Sequence, residues 1–281
     1  MNRRVFRRAV SNLMVGLMIG AVIVALLPLF FILFDLVIQG ASSLSLDFFT
    51  KTPAPAGETG GGVVHAIVGT LLIVGVACAI GLPIGIAAGI FCAEYPTTRL
   101  TWLTRFVADV LNGTPSIVVG VFAWAWIVAR QKHFSALAGS AALALLMIPM
   151  VLRTTEEMIK LVPNSLREAA LALGYPRWRT SLGIVVRTTL PGIVTGSLLA
   201  VARVAGETAP LLFTALGSQY LSFNLNQPMA ALPLTVFTYA TGPYEEWHQN
   251  AWAAALVLIL VVFVLSVGAR LAIRRRFDLN G

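Results

Sequence analysis

Charge is what this sequence has least of. Only 11% of its 281 residues are Asp, Glu, Lys or Arg, whereas a water-soluble domain carries about a quarter. With 58% of residues hydrophobic and a mean hydropathy of +0.85, a soluble fold with a polar exterior is excluded. Cysteine is nearly absent as well. The two present, Cys78 and Cys92, fall on one apolar segment, and on a helix they stand about 21 Å apart, too far for a disulfide. His65, His133 and His248 are scattered without the spacing of a metal site. A phosphate-cradling loop is missing too: "GETGGG" at 57–62 lacks the Lys-Ser or Lys-Thr that must follow, so the chain does not bind ATP alone. No internal repeat supplies the two related halves from which many carriers are built.

Long apolar runs are what the sequence has in abundance. Six of them, at 13–38, 63–91, 106–129, 134–152, 188–216 and 251–269, are long enough to cross the roughly 30 Å hydrocarbon core as helices. The expectation is an all-α integral membrane protein with six transmembrane helices. The first run follows the basic "MNRRVFRR", but its apolar part is too long for a signal peptide and should stay as an anchor helix. The chain then divides into a basic segment with the first helix (1–40), an external Pro- and Gly-rich loop (41–62), a membrane core (63–273) and a basic tail (274–281). Residues 217–250 contain no Lys or Arg and should lie at the outer interface or re-enter.

The net charge of +8 points to a membrane side, not to nucleic acid. Sixteen of the twenty Lys and Arg fall on the side shared by both termini, the positive-inside pattern, so both termini should be cytoplasmic. Lys51, Arg130 and Lys132 lie outside, and Arg203 is left within the membrane.

The most informative soluble stretch is "VPNSLREAALALGYPRWRT", 162–180. Ser165 and Glu168 have the spacing of a capping box, and Gly174 suits the left-handed position that ends a helix. A short helix over about 166–173 results, with a small-residue surface fit to enter a groove on a partner. Its local chemistry equally allows a helix lying on anionic lipid. The stretch resembles the EAA loop of binding-protein-dependent ABC importer permeases: Glu168, Ala169, Ala170, Gly174 and Ile184 match that pattern, while its Leu-Pro element is displaced to Leu190-Pro191. The resemblance implies that Ser165, Glu168, Ala169, Ala170 and Gly174 belong to the surface that couples to an ATPase subunit.

"RVAGETAP", 203–210, places Arg203 and Glu207 four residues apart in an apolar run. A lone Arg at mid-membrane costs about 2.5 to 3.5 kcal/mol on insertion scales, so something must offset it. One reading is a self-neutralising ion pair on one helix face. The other is an anion site, since the guanidinium matches tetrahedral oxyanions, with Gly196, Ala200, Pro210 and Thr214 continuing a small or polar stripe. Local chemistry admits phosphate, sulfate or molybdate. Asp109, and Thr114 and Ser116 beside Pro115, are further candidates for a pathway.

"RVAGETAPLLFTALG", with "GGVVHAIVGTLL", "LNGTPSIVVG" and "QPMAALPLTVFTYA", resembles the A-type permease subunits of phosphate-specific ABC importers. That resemblance implies a type I importer permease core preceded by one extra helix, in a bacterial inner membrane. It implies phosphate as substrate and Arg203, Glu207 and the adjoining Thr208 as pathway residues. The implied partners are a second, C-type permease chain, a dimer of ATPase subunits carrying ATP and Mg, and an extracytoplasmic phosphate-binding protein, all within membrane lipid. This chain itself would be non-catalytic and bind no cofactor. A sulfate or molybdate permease is the nearest alternative, and a standalone channel or carrier would need no ATPase.

Overall fold

A computed structural model describes residues 3–55, 58 and 60–278. Parts of the expected external loop (56, 57 and 59) and the extreme basic ends (1–2 and 279–281) lie outside the described residues. Among the described residues the regular structure is helical, with no strand. Helix α1 (Arg3–Ser42) leads through a short α2 (Leu46–Thr50) to α3 (Val64–Glu94). Next come α4 (Arg99–Gly113) and α5 (Ser116–Ala123), the latter continuing through a π-helical stretch (Trp124–Val128) into α6 (Ala129–Gln131). After α7 (Ala136–Lys160) come two short helices, α8 (Asn164–Ala172) and α9 (Arg177–Thr180), and a second π-helical stretch (Ser181–Val185) carries α9 into α10 (Val186–Ala205). Short α11 (Ala209–Thr214) and α12 (Leu232–Ala240) precede α13 (Glu245–Asp278).

Five stretches are long and apolar enough to cross a bilayer: Phe6–Ser42, Val64–Glu94, Ala136–Lys160, Arg177–Ala205 and Glu245–Gly268. The pair Arg99–Gly113 and Ser116–Gln131 makes a sixth, bent by 106°. The straight span expected over 106–129 is therefore broken. Pro115 lacks an N–H and disfavours helical backbone at the residue before it, and Thr114 is accordingly extended, with ψ 129°.

The frame of the bundle is α3 packed along α7. Helices in lipid gain little from the hydrophobic effect between them, so close backbone approach must supply the contact. Glycines at every fourth position of α3 allow it: a Cβ on Gly85 would lie 2.8 Å from Val151 Cβ, and one on Gly89 would lie 2.6 Å from Thr155 Cβ. Ile73, Ala77, Leu143, Met147 and Val151 are fully buried along this seam. Helix α10 joins it where Gly196 meets Thr154. By contrast, the apolar length of α1 faces outward and meets α13 near its end, where Gly40 approaches Trp252 and Leu256.

The segment after α11 re-enters the bundle. Ala136 and Leu137 donate backbone N–H bonds to the carbonyls of Gln227 (3.0 Å) and Leu225 (2.9 Å). The Leu232 N–H, which would be orphaned at the start of α12, donates to Thr70 Oγ1 at 2.7 Å. Leu232 and Leu234 are buried there.

Candidate functional site

Of the two readings of Arg203 and Glu207, the ion pair on one helix face does not form. Helix α10 stops at Ala205, and Arg203 and Glu207 lie on either side of its end. Gly206 leaves the helix, and Pro210 can neither donate to the Gly206 carbonyl nor tolerate it at helical distance. A new short helix, α11, starts at Ala209 with Pro210 in its first turn. The run expected as one span over 188–216 is thus α10 plus a separate segment. The signal for the break, a Gly and a Pro four residues apart, stands in "GETAP" itself.

Arg203 sits in the last turn of α10, where the carbonyl end of the helix favours a cation. Glu207 sits on the link. Among the described residues neither side chain takes part in an ion pair. Both line a cavity of about 140 Å³, which also receives Asn112, Thr114, Pro115 and Ser116 from the broken elbow between α4 and α5. Its apolar wall is Leu111, Leu146, Met150 and Val204. Leu146 and Met150 occupy the middle turns of α7, roughly 15 to 21 Å from either end of that helix, so the cavity lies at mid-height of the bundle. Arg203 and Asn112 remain exposed on the isolated chain, and Glu207, Thr114 and Ser116 are half-buried, so the cavity opens to one side.

The elbow serves the cavity chemically as well as sterically. Helix α5 begins at Ser116, so its first N–H groups, the positive end of the helix, stand at the cavity wall. The Thr114 hydroxyl donates to the Val110 carbonyl at 2.7 Å and keeps its lone pairs. The result is a guanidinium, a helix N-terminus and the Ser116 hydroxyl around one space, a donor set for a tetrahedral anion, with the Thr114 oxygen beside them as an acceptor. One carboxylate stands among them.

Other expected pathway residues lie elsewhere. Thr208 is half-buried and lines none of this cavity; its carbonyl accepts from Leu211 (3.1 Å) and Leu212 (3.2 Å) at the start of α11. The stripe expected to line a path is packing instead: Ala200 and Thr214 are buried, Gly196 meets Thr154, and Pro210 fits against Gly120. Asp109 turns away from the cavity and takes Arg153 Nη2 at 2.5 Å on both oxygens, with Arg153 Nε at 3.1 Å. A larger cavity of about 440 Å³ near the 217–220 link, lined by His65, Thr235, Thr238 and Tyr239 among others, has no Lys, Arg, Asp or Glu in its wall.

The end of the bundle where α3 and α7 finish, here called the basic end, holds a cluster that sequence reading missed. The fourth apolar run of the sequence ends at Leu152, where the charges of 153–160 begin. In fact α7 continues to Lys160, and Glu156 is fully buried. It is held by Arg105 of α4 (2.6 Å), Lys160 (2.8 Å) and Arg153 (3.3 Å). Arg105 also donates to the Cys92 carbonyl at 3.0 Å, in the last turn of α3.

Beside this cluster, α8 forms where the Glu-Ala-Ala stretch predicted a helix, but not with the expected cap. Pro163 precedes the first turn, no side chain caps it, and Ser165 and Glu168 are exposed within the helix. The Pro ring pre-sets the entry angle and needs no N–H partner there. The C-terminal end follows expectation: Gly174 has φ +83°, Gly174 N–H reaches the Leu171 carbonyl at 2.9 Å and Tyr175 N–H the Ala170 carbonyl at 3.2 Å, a Schellman closure. Ala170 is buried, whereas Ser165, Glu168, Ala169 and Leu173 face outward. Arg167 does not reach out to lipid; it pairs with Glu94 at the end of α3, which also accepts from Ser181 Oγ. Glu94 therefore ties α8, the start of the α9–α10 rod and α3 together.

The chain is similar to known proteins in sequence and in fold. The family model described as binding-protein-dependent transport system inner membrane component matches residues 85–278. The curated phosphate transport system permease protein PstA of Haemophilus influenzae is 46% identical, covering 95% of this chain and 94% of that protein. That of Pasteurella multocida is 48% identical over 94% and 95%, and PstA 1 of Mycobacterium tuberculosis 39% over 96% and 92%. Among solved structures, a chain of the inward-facing MetNI methionine ABC transporter aligns with a TM-score of 0.60 at 18% identity, over 76% of this chain and 94% of that one. A chain of a bacterial ABC transporter that imports alginate aligns with a TM-score of 0.61 at 18% identity, over 98% and 99%. At such identity these two speak for the fold alone. The broken α4–α5 span, the exposed Glu-Ala-Ala helix and the sequence match agree, and the chain belongs to the family of inner-membrane components of binding-protein-dependent transport systems.

Proposed function

We propose that this chain is the membrane-spanning permease subunit of an ATP-driven importer that moves inorganic phosphate into the cytoplasm by alternating access. The observation that carries the reading is Arg203, a guanidinium at mid-height of the bundle without a carboxylate partner among the described residues, in a chain whose near full-length relatives are phosphate transport permeases. A cation held in a membrane span at that cost is held for something that visits it.

The rest of the mechanism follows from placement. The basic end faces the cytoplasm, as the positive-inside rule requires, with both termini on that side. The cavity opens to one side of this chain, so a second, homologous permease chain closes it and the two share one path. An external binding protein delivers phosphate to the opposite end. A dimer of ATPase subunits, which holds the ATP and Mg, receives the outward face of α8 around Ser165, Glu168 and Ala169, while Gly174 ends that helix. Closure of the dimer pulls α8. The Glu94 junction passes the displacement to α3 and to the α9–α10 rod, which carries Arg203 at its far end. This chain makes no covalent bond and needs no cofactor of its own.

Uptake of labelled phosphate into vesicles holding the four-component complex tests the reading. Uptake should require ATP and should collapse in Arg203→Gln while the complex still assembles. Uptake that persists in the assembled mutant removes Arg203 from the path, and uptake without ATP removes the importer reading.

A further inference from the structure

Glu207 is a problem for an anion site. A carboxylate on the wall of the cavity repels every anion that enters, and that repulsion is strong in a membrane interior of low dielectric. If its task were to neutralise Arg203, the two would pair; the break at Gly206 keeps them apart, and among the described residues neither has an ion-pair partner. Both instead line the same space as Thr114 and Ser116. A site built only for negative charge would do better with a Gln or a Ser at 207.

The cost disappears for one kind of anion. An ionised carboxylate only accepts hydrogen bonds, and inorganic phosphate at neutral pH still carries at least one O–H. Donated to a carboxylate, that O–H makes a short charge-assisted bond, about twice as strong as a neutral one. Sulfate and molybdate are fully ionised at the same pH and offer Glu207 only lone pairs. We propose that Glu207 is the specificity residue of the cavity: it accepts the proton-bearing oxygen of phosphate while Arg203 and the α5 N-terminus hold the others, and it rejects oxyanions without a proton. The inference rests on the reading of the Arg203 cavity as the phosphate path. Discrimination of this kind joins an attractive contact for one ligand to a repulsive one for its competitor. A site that hydrogen-bonds a substrate hydroxyl can reject an analogue lacking it by about 10⁴ when fully buried. Half-buried Glu207 should deliver less, about tenfold to hundredfold.

The test separates the hydrogen from charge and size. Equilibrium binding of labelled phosphate to the assembled permease and ATPase complex, without the binding protein, is measured against three unlabelled competitors: arsenate, sulfate and monofluorophosphate. Monofluorophosphate has the charge and nearly the shape of the phosphate dianion, with fluorine in place of the hydroxyl. For the wild type, arsenate should compete like phosphate, with sulfate and monofluorophosphate at least about tenfold weaker. Glu207→Gln, whose amide donates as well as accepts, should bring all four anions within a few-fold of one another, and Glu207→Asp should keep the wild-type order. Equal competition by monofluorophosphate and phosphate in the wild type overturns the proposal even if no variant assembles, and so does an unchanged order in Glu207→Gln. Arg203→Gln should lose binding of all four; full binding in that variant would overturn the cavity itself, a different failure from an unchanged order with Arg203 essential.

Discussion

The Glu156 cluster and the Arg203 cavity each bring Arg and Glu together, and they are wired in opposite ways. At the basic end, Glu156 is fully buried and saturated by Arg105, Arg153 and Lys160. At mid-height, Arg203 and Glu207 share a cavity and leave each other unpaired. A buried carboxylate stripped of its partners would be intolerable, so the first arrangement is complete in itself and has nothing left to offer a ligand. The second is incomplete in itself, and its open valences are what a visiting ion would satisfy. Charged residues in membranes thus divide by whether the fold has already answered them.

The largest effect should come from the unanswered site. Arg203→Gln is expected to lower phosphate uptake about a hundredfold or more, in line with losing a charged hydrogen-bond partner of the substrate, with little change in the melting temperature of the complex. Initial uptake rates alongside thermal unfolding of the purified complex check both halves. If the mutation instead destabilised the complex strongly, Arg203 would belong with the answered cluster.

Glu156→Ala should show the reverse. Removing the buried carboxylate leaves three cations facing one another, and disruption of such a network costs about 3 to 5 kcal/mol. The expected outcome is loss of folded complex in detergent, read by size-exclusion yield and unfolding temperature. Any complex that does assemble should keep the wild-type ranking of competing anions.

Ser116→Ala tests the hydroxyl side of the cavity. It deletes one neutral donor, about 0.5 to 1.5 kcal/mol, so the phosphate concentration for half-maximal binding to the complex should rise a few-fold without change in stability. Asp109→Asn should be the mildest of all. Its pair with Arg153 is well over half exposed on the acid's side, at 62%, and such pairs contribute about 0 to 1 kcal/mol. Unfolding should shift only slightly and uptake should hold. A large loss of uptake there would mean that Asp109 reaches the path after all.

Much of the fold was legible because the bilayer imposes it. A segment such as 134–152 must be helical to satisfy its backbone in hydrocarbon, and Lys and Arg counts alone suggest which side each end occupies. The α8 helix was legible through Gly174, whose left-handed backbone is local. Errors came where neighbours decide. The burial of Glu156 beyond the apolar run was not legible, because a sequence does not say that Arg105, 51 residues before it, will meet it. The Ser165–Glu168 cap was a correct spacing that Pro163 made unnecessary. For the site, residue types were legible and their grouping only in part. Arg203, Glu207, Thr114 and Ser116 were singled out separately and line one cavity, whereas Thr208 and the further candidate Asp109 are not on its wall.

The sequence by itself determined that this chain lives in a membrane as helices, which apolar stretches supply them, and that it carries one Arg in their midst, because apolar length, charge asymmetry and the cost of a buried cation are properties of short stretches. Only the tertiary structure decided that Arg203 and Glu207 would not pair with each other and would line one cavity with Thr114 and Ser116. That outcome depends on two breaks, at Pro115 and at Gly206 to Pro210, brought to the same height by the packing of α4, α5, α10 and α11 against α7, and no single stretch of sequence contains both.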